Sequence, residues 1–177
     1  IVQAWVNGDD NFGFAVYAND TTNGWQIRTI GNDEVGLRPR LEVEYTTETI
    51  AIKEFKATRS AFVSTGNPTV DGSTLGRQFL DFSDTETLEA LLQFGDAFGE
   101  DDAQIRDIDQ IVYAELVIHT SGRPDGSTNA DTDDPYTIHP ILVDWDVAST
   151  FGPTGLSESA TEIGASVGLL NGMGENS

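Results

Sequence analysis

The sequence predicts an all-β protein, an antiparallel β-sandwich of jelly-roll-like form with few short helical turns. Three observations predict it. The stretch Leu37 to Tyr45, LRPRLEVEY, alternates after Pro39, so that Leu41, Val43 and Tyr45 share one face and Glu42 and Glu44 the other. That period of two marks a half-buried strand. IVYAELVIHT, from Ile111 to Thr120, alternates in the same way. Finally, turn formers such as Asn7-Gly8, Gly66-Asn67-Pro68 and Asp71-Gly72-Ser73 punctuate the chain, and strands broken at intervals of about 8–12 residues indicate a sandwich or barrel.

Taken in order, Ile1 to Val6 is apolar but too short for its period to be read. After the turn at 7–11, Phe12 to Ala18 alternates in part and reads as a strand, and Trp25 to Ile30 as another. The strand closing on Tyr45 follows, then a polar break at 46–49. Ile50 to Lys56 alternates with no clear inner face, because Ile50 and Ile52 oppose Ala51 and Phe55. Ser60 to Thr65 is a short strand. Ser83 to Phe94, SDTETLEALLQF, carries two signals. Ser83 with Glu86 fits a capping box and Leu88, Leu91 and Leu92 a helix face, whereas ALLQF fits a buried strand. A short turn followed by a strand is the preferred reading. In IVYAELVIHT, Val112, Ala114, Leu116 and Ile118 are expected on one face and Tyr113, Glu115, Val117 and His119 on the other. The segment 121–135 reads as a Gly-, Pro- and Asp-rich loop. Tyr136 to Trp145 reads as a strand interrupted at Pro140, and Ser159 to Ser166 as one or two helical turns.

The chain of 177 residues is long enough for one domain with a true core. Nine Lys and Arg stand against 30 Asp and Glu, a formal charge of -21. Such a surface repels phosphate, which argues against nucleic acid and anionic membranes as partners. The acid either keeps the protein soluble or suits a medium rich in screening and binding cations. No cysteine is present, so there is neither a disulfide framework nor thiolate chemistry. No apolar run approaches the roughly 20 residues that span a bilayer.

Three pieces near the start, VQAWVNGDDNFGFAVY, GWQIRTI and RPRLEVEY, together resemble the closing half of the DNRLRE-type β-sandwich module, related to carbohydrate-binding modules of large bacterial surface proteins. Trp5, Gly8, Asn11, Gly13, Phe14, Arg38, Pro39 and Leu41 fill the places of that pattern. ALLQFGDAFGEDDAQI, IVYAELVIHT and YTIHPILVDWDVASTFG resemble the opening half, through Ala90, Leu91, Leu92, Phe94, Ala114, Leu116, Asp144 and Trp145. The strand that usually precedes the first Trp in the family is missing. Residues 1–47 thus correspond to a closing half and residues 48–177 to an opening half, in inverted order. Three arrangements fit: one period of a tandem array, a subunit whose first strands complete a neighbour's module, or a unit closed on itself with Ile1 beside Ser177. The resemblance implies an extracellular or bacterial cell-surface location. It also implies a structural role: head-to-tail self-association into a filament or array by strand complementation, with a carbohydrate-binding module as the alternative.

Five oxygen-bearing residues, Asp125, Asn129, Asp131, Asp133 and Asp134, crowd one loop. Hard oxygen ligands at that spacing suit a structural Ca²⁺, although the glutamate that ends an EF-hand loop is absent and a solvated acidic loop fits as well. Trp25 and Tyr136, with Trp5 and Trp145, are candidates for stacking on a polysaccharide, against the ordinary use of such rings as core anchors. Asn19-Asp20-Thr21 is a formal glycosylation sequon at Asn19. His119 and His139 are the two histidines, and a zinc pair between them competes with two unrelated strand residues. Neither a nucleophile elbow nor a phosphate-binding glycine loop occurs, so no enzyme is expected.

Overall fold

The computed structural model describes residues 1–18, 25–47, 49–64, 70–71, 74–82, 87–120, 136–146 and 163–170. Along the chain these form α1 (Val2–Val6), β1 (Phe14–Ala18), β2 (Trp25–Arg28), β3 (Arg40–Thr46), β4 (Ile50–Lys56), β5 (Arg59–Ser64), β6 (Val70–Asp71), β7 (Arg77–Phe82), β8 (Thr87–Gln93), β9 (Gln110–Val117), β10 (Tyr136–Pro140) and β11 (Gly168–Leu170). The fold is all-β and sandwich-like, built from two antiparallel sheets. The larger sheet has eight strands, in the order β11-β10-β1-β8-β5-β6, with β7 bonded to β8 and β2 to β7. The smaller runs β4-β3-β9.

The strand that ends on Tyr45 behaves as its period requires. Leu41, Val43 and Tyr45 are buried, and the residues between them are half-exposed. They meet Phe14, Val16, Ala90, Leu92, Tyr136 and Ile138 of the larger sheet in one inter-sheet core. Trp5 on α1 caps that core, its ring 4.9 Å from Phe14 and 5.9 Å from Phe98. The opposite face of the larger sheet is covered as well. Ala15, Ala61, Val63 and Leu91 pack there with Ile141, Trp145 and Ile163.

This second layer explains ALLQF. Ala90 and Leu92 face the inter-sheet core while Leu91 faces the outer cluster. A strand apolar on both sides loses its period of two and imitates a helix face. The strand reading is the one observed, as β8; the turn expected before it, at 83–86, lies outside the described residues.

Gly13 fixes where β1 begins. Its φ is +89°, a conformation natural to glycine. The side chain of Asn11 accepts from Gly13 N at 3.1 Å and donates to Phe94 O at 3.1 Å, while Gln93 Nε2 donates back to Asn11 O at 2.9 Å. Together these bonds pin the Asn-x-Gly-Phe turn to the end of β8.

Ile1 to Val6, too short for its period to be read, contains a short helix. Three expectations need correction. Val112 does not share a face with Ala114 and Leu116. The register slips between Glu44 and Tyr45, so β9 carries a bulge and both Val112 and Tyr113 are exposed. The strand from Tyr136 stops at Pro140, where the ring supplies no N–H, and Ile141 continues only as a bridge to Ile163. Within Ser159 to Ser166, the described residues 163–166 form that bridge and a bend rather than a helical turn. Gly164 N is held by Pro140 O at 2.9 Å, which draws the segment flat against the sheet. β6, β7 and β11 carry too few residues of clear alternation to have been read.

Candidate functional site

The first 47 residues supply an interior strand of each sheet. β1 lies between β10 and β8, with Phe14 opposite both Pro140 and Leu92. β3 lies between β4 and β9, with Leu41 opposite Phe55 and Leu116. Within one chain, then, residues 1–47 pair directly with strands of residues 48–177.

What this closure leaves open is one side of the sandwich. A groove of about 700 Å³ runs there, floored by Phe14, Leu41 and Ile138. One wall is β9, from Ile111 to Leu116; the other is Val167 and Gly168 at the start of β11; Ile1, Val2 and Gln3 stand at one end. Among the described residues β9 pairs only with β3, and its second edge faces this groove. Gln3 covers the first part of that edge. Its side-chain oxygen accepts from Ile111 N at 2.8 Å and its amide nitrogen donates to Asp109 O at 3.4 Å. A single amide side chain therefore takes the place of the next strand for one residue only.

The outer surface of the small sheet continues from the groove. Ile50 and Ile52 of β4 are 64% and 70% exposed, and Val112 and Tyr113 of β9 are 54% and 56% exposed, so apolar side chains flank the central strand on both sides. Beside them, one step along the strands, lies a row of three carboxylates, Glu54, Glu42 and Glu115, directly opposite one another. Like charges in that arrangement repel. Arg40 offsets part of it, with Nε 2.9 Å from Glu42 and 3.3 Å from Glu54. Its Nη1 reaches His119 Nε2 at 3.0 Å. Since arginine can only donate, that histidine nitrogen is the acceptor.

Of the residues singled out in the sequence, several fall elsewhere. Asp125, Asn129, Asp131, Asp133, Asp134 and Asn19 lie outside the described residues. Tyr136 is fully buried in the inter-sheet core, where its hydroxyl donates to Leu80 O at 3.2 Å. It is therefore a core anchor and offers no ring face to a sugar. Trp25 opens β2, opposite Leu80. Trp5 and Trp145 are buried, and the Trp145 indole N–H donates to Phe12 O at 2.7 Å. His139 is nearly buried opposite Ala15, with Nδ1 2.8 Å from Gly164 O, while His119 is engaged by Arg40. Among the described residues no group of three or more His, Cys, Asp or Glu could hold a metal ion. No helix among them is long and apolar enough to cross a membrane.

The groove and the exposed pair at Val112 and Tyr113 were missed from sequence, because a bulge has no signature in composition. Chemically, a slot of mixed polar and apolar lining, beside a strand edge with no partner strand among the described residues, can accept an extended segment through backbone hydrogen bonds and side-chain burial. Comparison with family models, with curated proteins and with solved structures gave no match.

Proposed function

We propose that this chain is an extracellular structural β-sandwich subunit that joins copies of itself head to tail, by strand complementation, into a filament or array. The observation that carries the reading is the second edge of β9, which among the described residues has no partner strand and lies along a groove of mixed polar and apolar surface, continuous with Ile52, Val112 and Tyr113 on the sheet face. Edges of this kind are sites of association unless covered. A heterologous contact between such an edge and a different part of the next copy does not close on itself and propagates. Exchange of residues 1–47 between copies is a second route to the same assembly, since a neighbour's β1 and β3 would make the same pairs. The extracellular assignment rests on the resemblance described for the sequence, and the reading assigns no catalysis.

The test is sedimentation velocity over a wide concentration range, with negative-stain microscopy of the same samples. Concentration-dependent growth into linear particles is expected. A monodisperse monomer throughout overturns the reading.

The alternative, a carbohydrate-binding module, draws on one observation: Tyr113 presents an exposed ring flanked by Glu44 and Glu115. Retardation in polysaccharide gels, lost in Tyr113→Ala, would support it, and migration unaffected by any polysaccharide would remove it.

A further inference from the structure

Arg28 of β2 stands directly opposite Arg77 of β7. Residues opposed in an antiparallel pair project to the same face, and this is the face away from Ile27, which enters the inter-sheet core. Two guanidinium groups side by side repel, and a chain with only nine Lys and Arg in all has placed two of them there. The other described arginines are engaged: Arg38 with Asn32 O, Arg40 with Glu42, Arg59 with Trp145 O and Arg106 with Asp109. Neither Arg28 nor Arg77 has a side-chain hydrogen bond or ion pair among the described residues, and Arg28 Nε is buried with no partner. A buried donor left unsatisfied costs on the order of 1–3 kcal/mol, so the arrangement calls for an anion.

The surroundings are built to receive one. The two arginines line a polar pocket of about 400 Å³ with Asn32, Gly76, Asp33 and Glu34. Asn32 is buried and locks the wall: its Nδ2 donates to Gly76 O at 3.0 Å, its Oδ1 accepts from Glu34 N at 2.9 Å, and its carbonyl accepts from Arg38 Nε at 2.8 Å. Thr29 Oγ1 donates to Leu75 O, tying the same loop down again. Asp33 and Glu34 are exposed at the rim and lie outside ion-pair distance of both arginines. Rotation of these rim carboxylates inward is the internal competitor.

We propose that Arg28 and Arg77 form a carboxylate receptor, and that the carboxylate it takes is an aspartate or glutamate of a second copy of this chain. The choice of source rests on the self-assembly reading and on charge. Copies of a chain at -21 repel one another, and contact between them needs a cationic point that is not already neutralised from within. Planar guanidinium forks hold a carboxylate through paired, charge-assisted hydrogen bonds that a lysine cannot reproduce.

Sedimentation velocity on the wild type, Arg28→Gln, Arg77→Gln, Arg77→Lys and Asp33→Asn/Glu34→Gln tests this, with glutarate as a soluble probe followed by arginine side-chain NMR. Arg77 is exposed, so its variants are expected to fold. Arg77→Gln should weaken association roughly tenfold to a hundredfold, the effect of losing a charge-assisted pair. Arg77→Lys should fall between it and the wild type. The rim double variant should associate more tightly, because two competing carboxylates are gone. Glutarate should shift the Arg28 Nε resonance and compete with association. A wild type that assembles while Arg77→Gln assembles equally well overturns the receptor and leaves the assembly reading standing. A wild type that stays monomeric overturns both the assembly reading and the second-copy source; a glutarate shift abolished by Arg77→Gln would then uphold the receptor alone, and no shift would overturn that too.

Discussion

Gly13 sits so close to Leu92 that a Cβ on the glycine would collide with the Leu92 carbonyl oxygen and crowd the backbone of Gln93. The atoms in the way belong to β8, which is held on both sides, by β5 and by β1. Neither partner can retreat. The φ of +89° adds a second penalty, since side-chain-bearing residues rarely adopt it. Gly13→Ala is therefore expected to destabilise the fold by about 2–4 kcal/mol, in the range of a change that combines overpacking with backbone strain. Urea denaturation reads this as a lowered midpoint at unchanged slope. A loss within about 0.5 kcal/mol, typical of a neutral surface site, would show that the turn relaxes.

At the open edge the expected effect is on association rather than stability. Val112 and Ile52 are exposed. Val112→Lys together with Ile52→Lys should change folding stability by no more than about 0.5 kcal/mol, because neither position belongs to the core. Charged side chains are a common protection of strand edges against pairing. The double variant is accordingly expected to lose most of its self-association at fixed protein concentration, measured by light scattering. Equal scattering from variant and wild type would place the contact elsewhere on the molecule.

Added salt should promote assembly. The repulsion between copies of charge -21 is long-ranged, whereas the apolar edge acts at contact. Raising ionic strength from about 0.01 M to 0.15 M shortens the Debye length from about 30 Å to 8 Å. Copies should then associate more strongly, even though the Arg28–Arg77 receptor is itself weakened by screening. The difference between wild type and Arg77→Gln should narrow over the same range. Sedimentation at several salt concentrations checks both trends. Association that falls steadily with salt would mean that ion pairing outweighs burial.

Calcium is expected to bind the acidic segment that contains Asp125, Asn129, Asp131, Asp133 and Asp134, which lies outside the described residues. Binding to the folded state alone adds about 2.7 kcal/mol at a free concentration of 100 Kd. Chelation should lower the Tm, and added Ca²⁺ should restore it while Na⁺ at equal ionic strength does not. A melt unchanged by chelator would return the loop to a solvated acidic turn.

The half-buried strands were legible because their chemistry repeats. Leu41, Val43 and Tyr45 declare an inner face, and all three are buried. Four residues that carry the resemblance also have mechanical tasks. Asn11 and Gly13 pin β1 to β8, Arg38 holds Asn32, and Asp144 Oδ1 accepts from Trp145 N at 2.9 Å. Less could be read where burial comes from both sides, as at Leu91, or where one extra residue shifts the pattern, as at Val112. The candidate site fell almost wholly into that second class. Its groove depends on which strand lies at an edge, a property of topology. Its arginine pair depends on the register of β2 against β7, a pairing between segments whose own alternation is weak. Aromatic residues misled for a related reason: ring type alone makes Tyr136 and Trp145 candidates for stacking on a sugar, but both rings are buried, and Leu80 O and Phe12 O satisfy their polar tips inside the protein.

The placement of β1 between β8 and β10 has a kinetic consequence. A ribosome releases Phe14 before either of the strand's two partners, which emerge with Leu92 and then with Pro140. Sheets closed by such distant pairings fold slowly, and a nascent chain waits with an orphaned central strand. In crowded synthesis that interval is when one polypeptide can capture a strand from another. Whether copies emerge linked or separate would then be decided during translation, before the finished molecule exists.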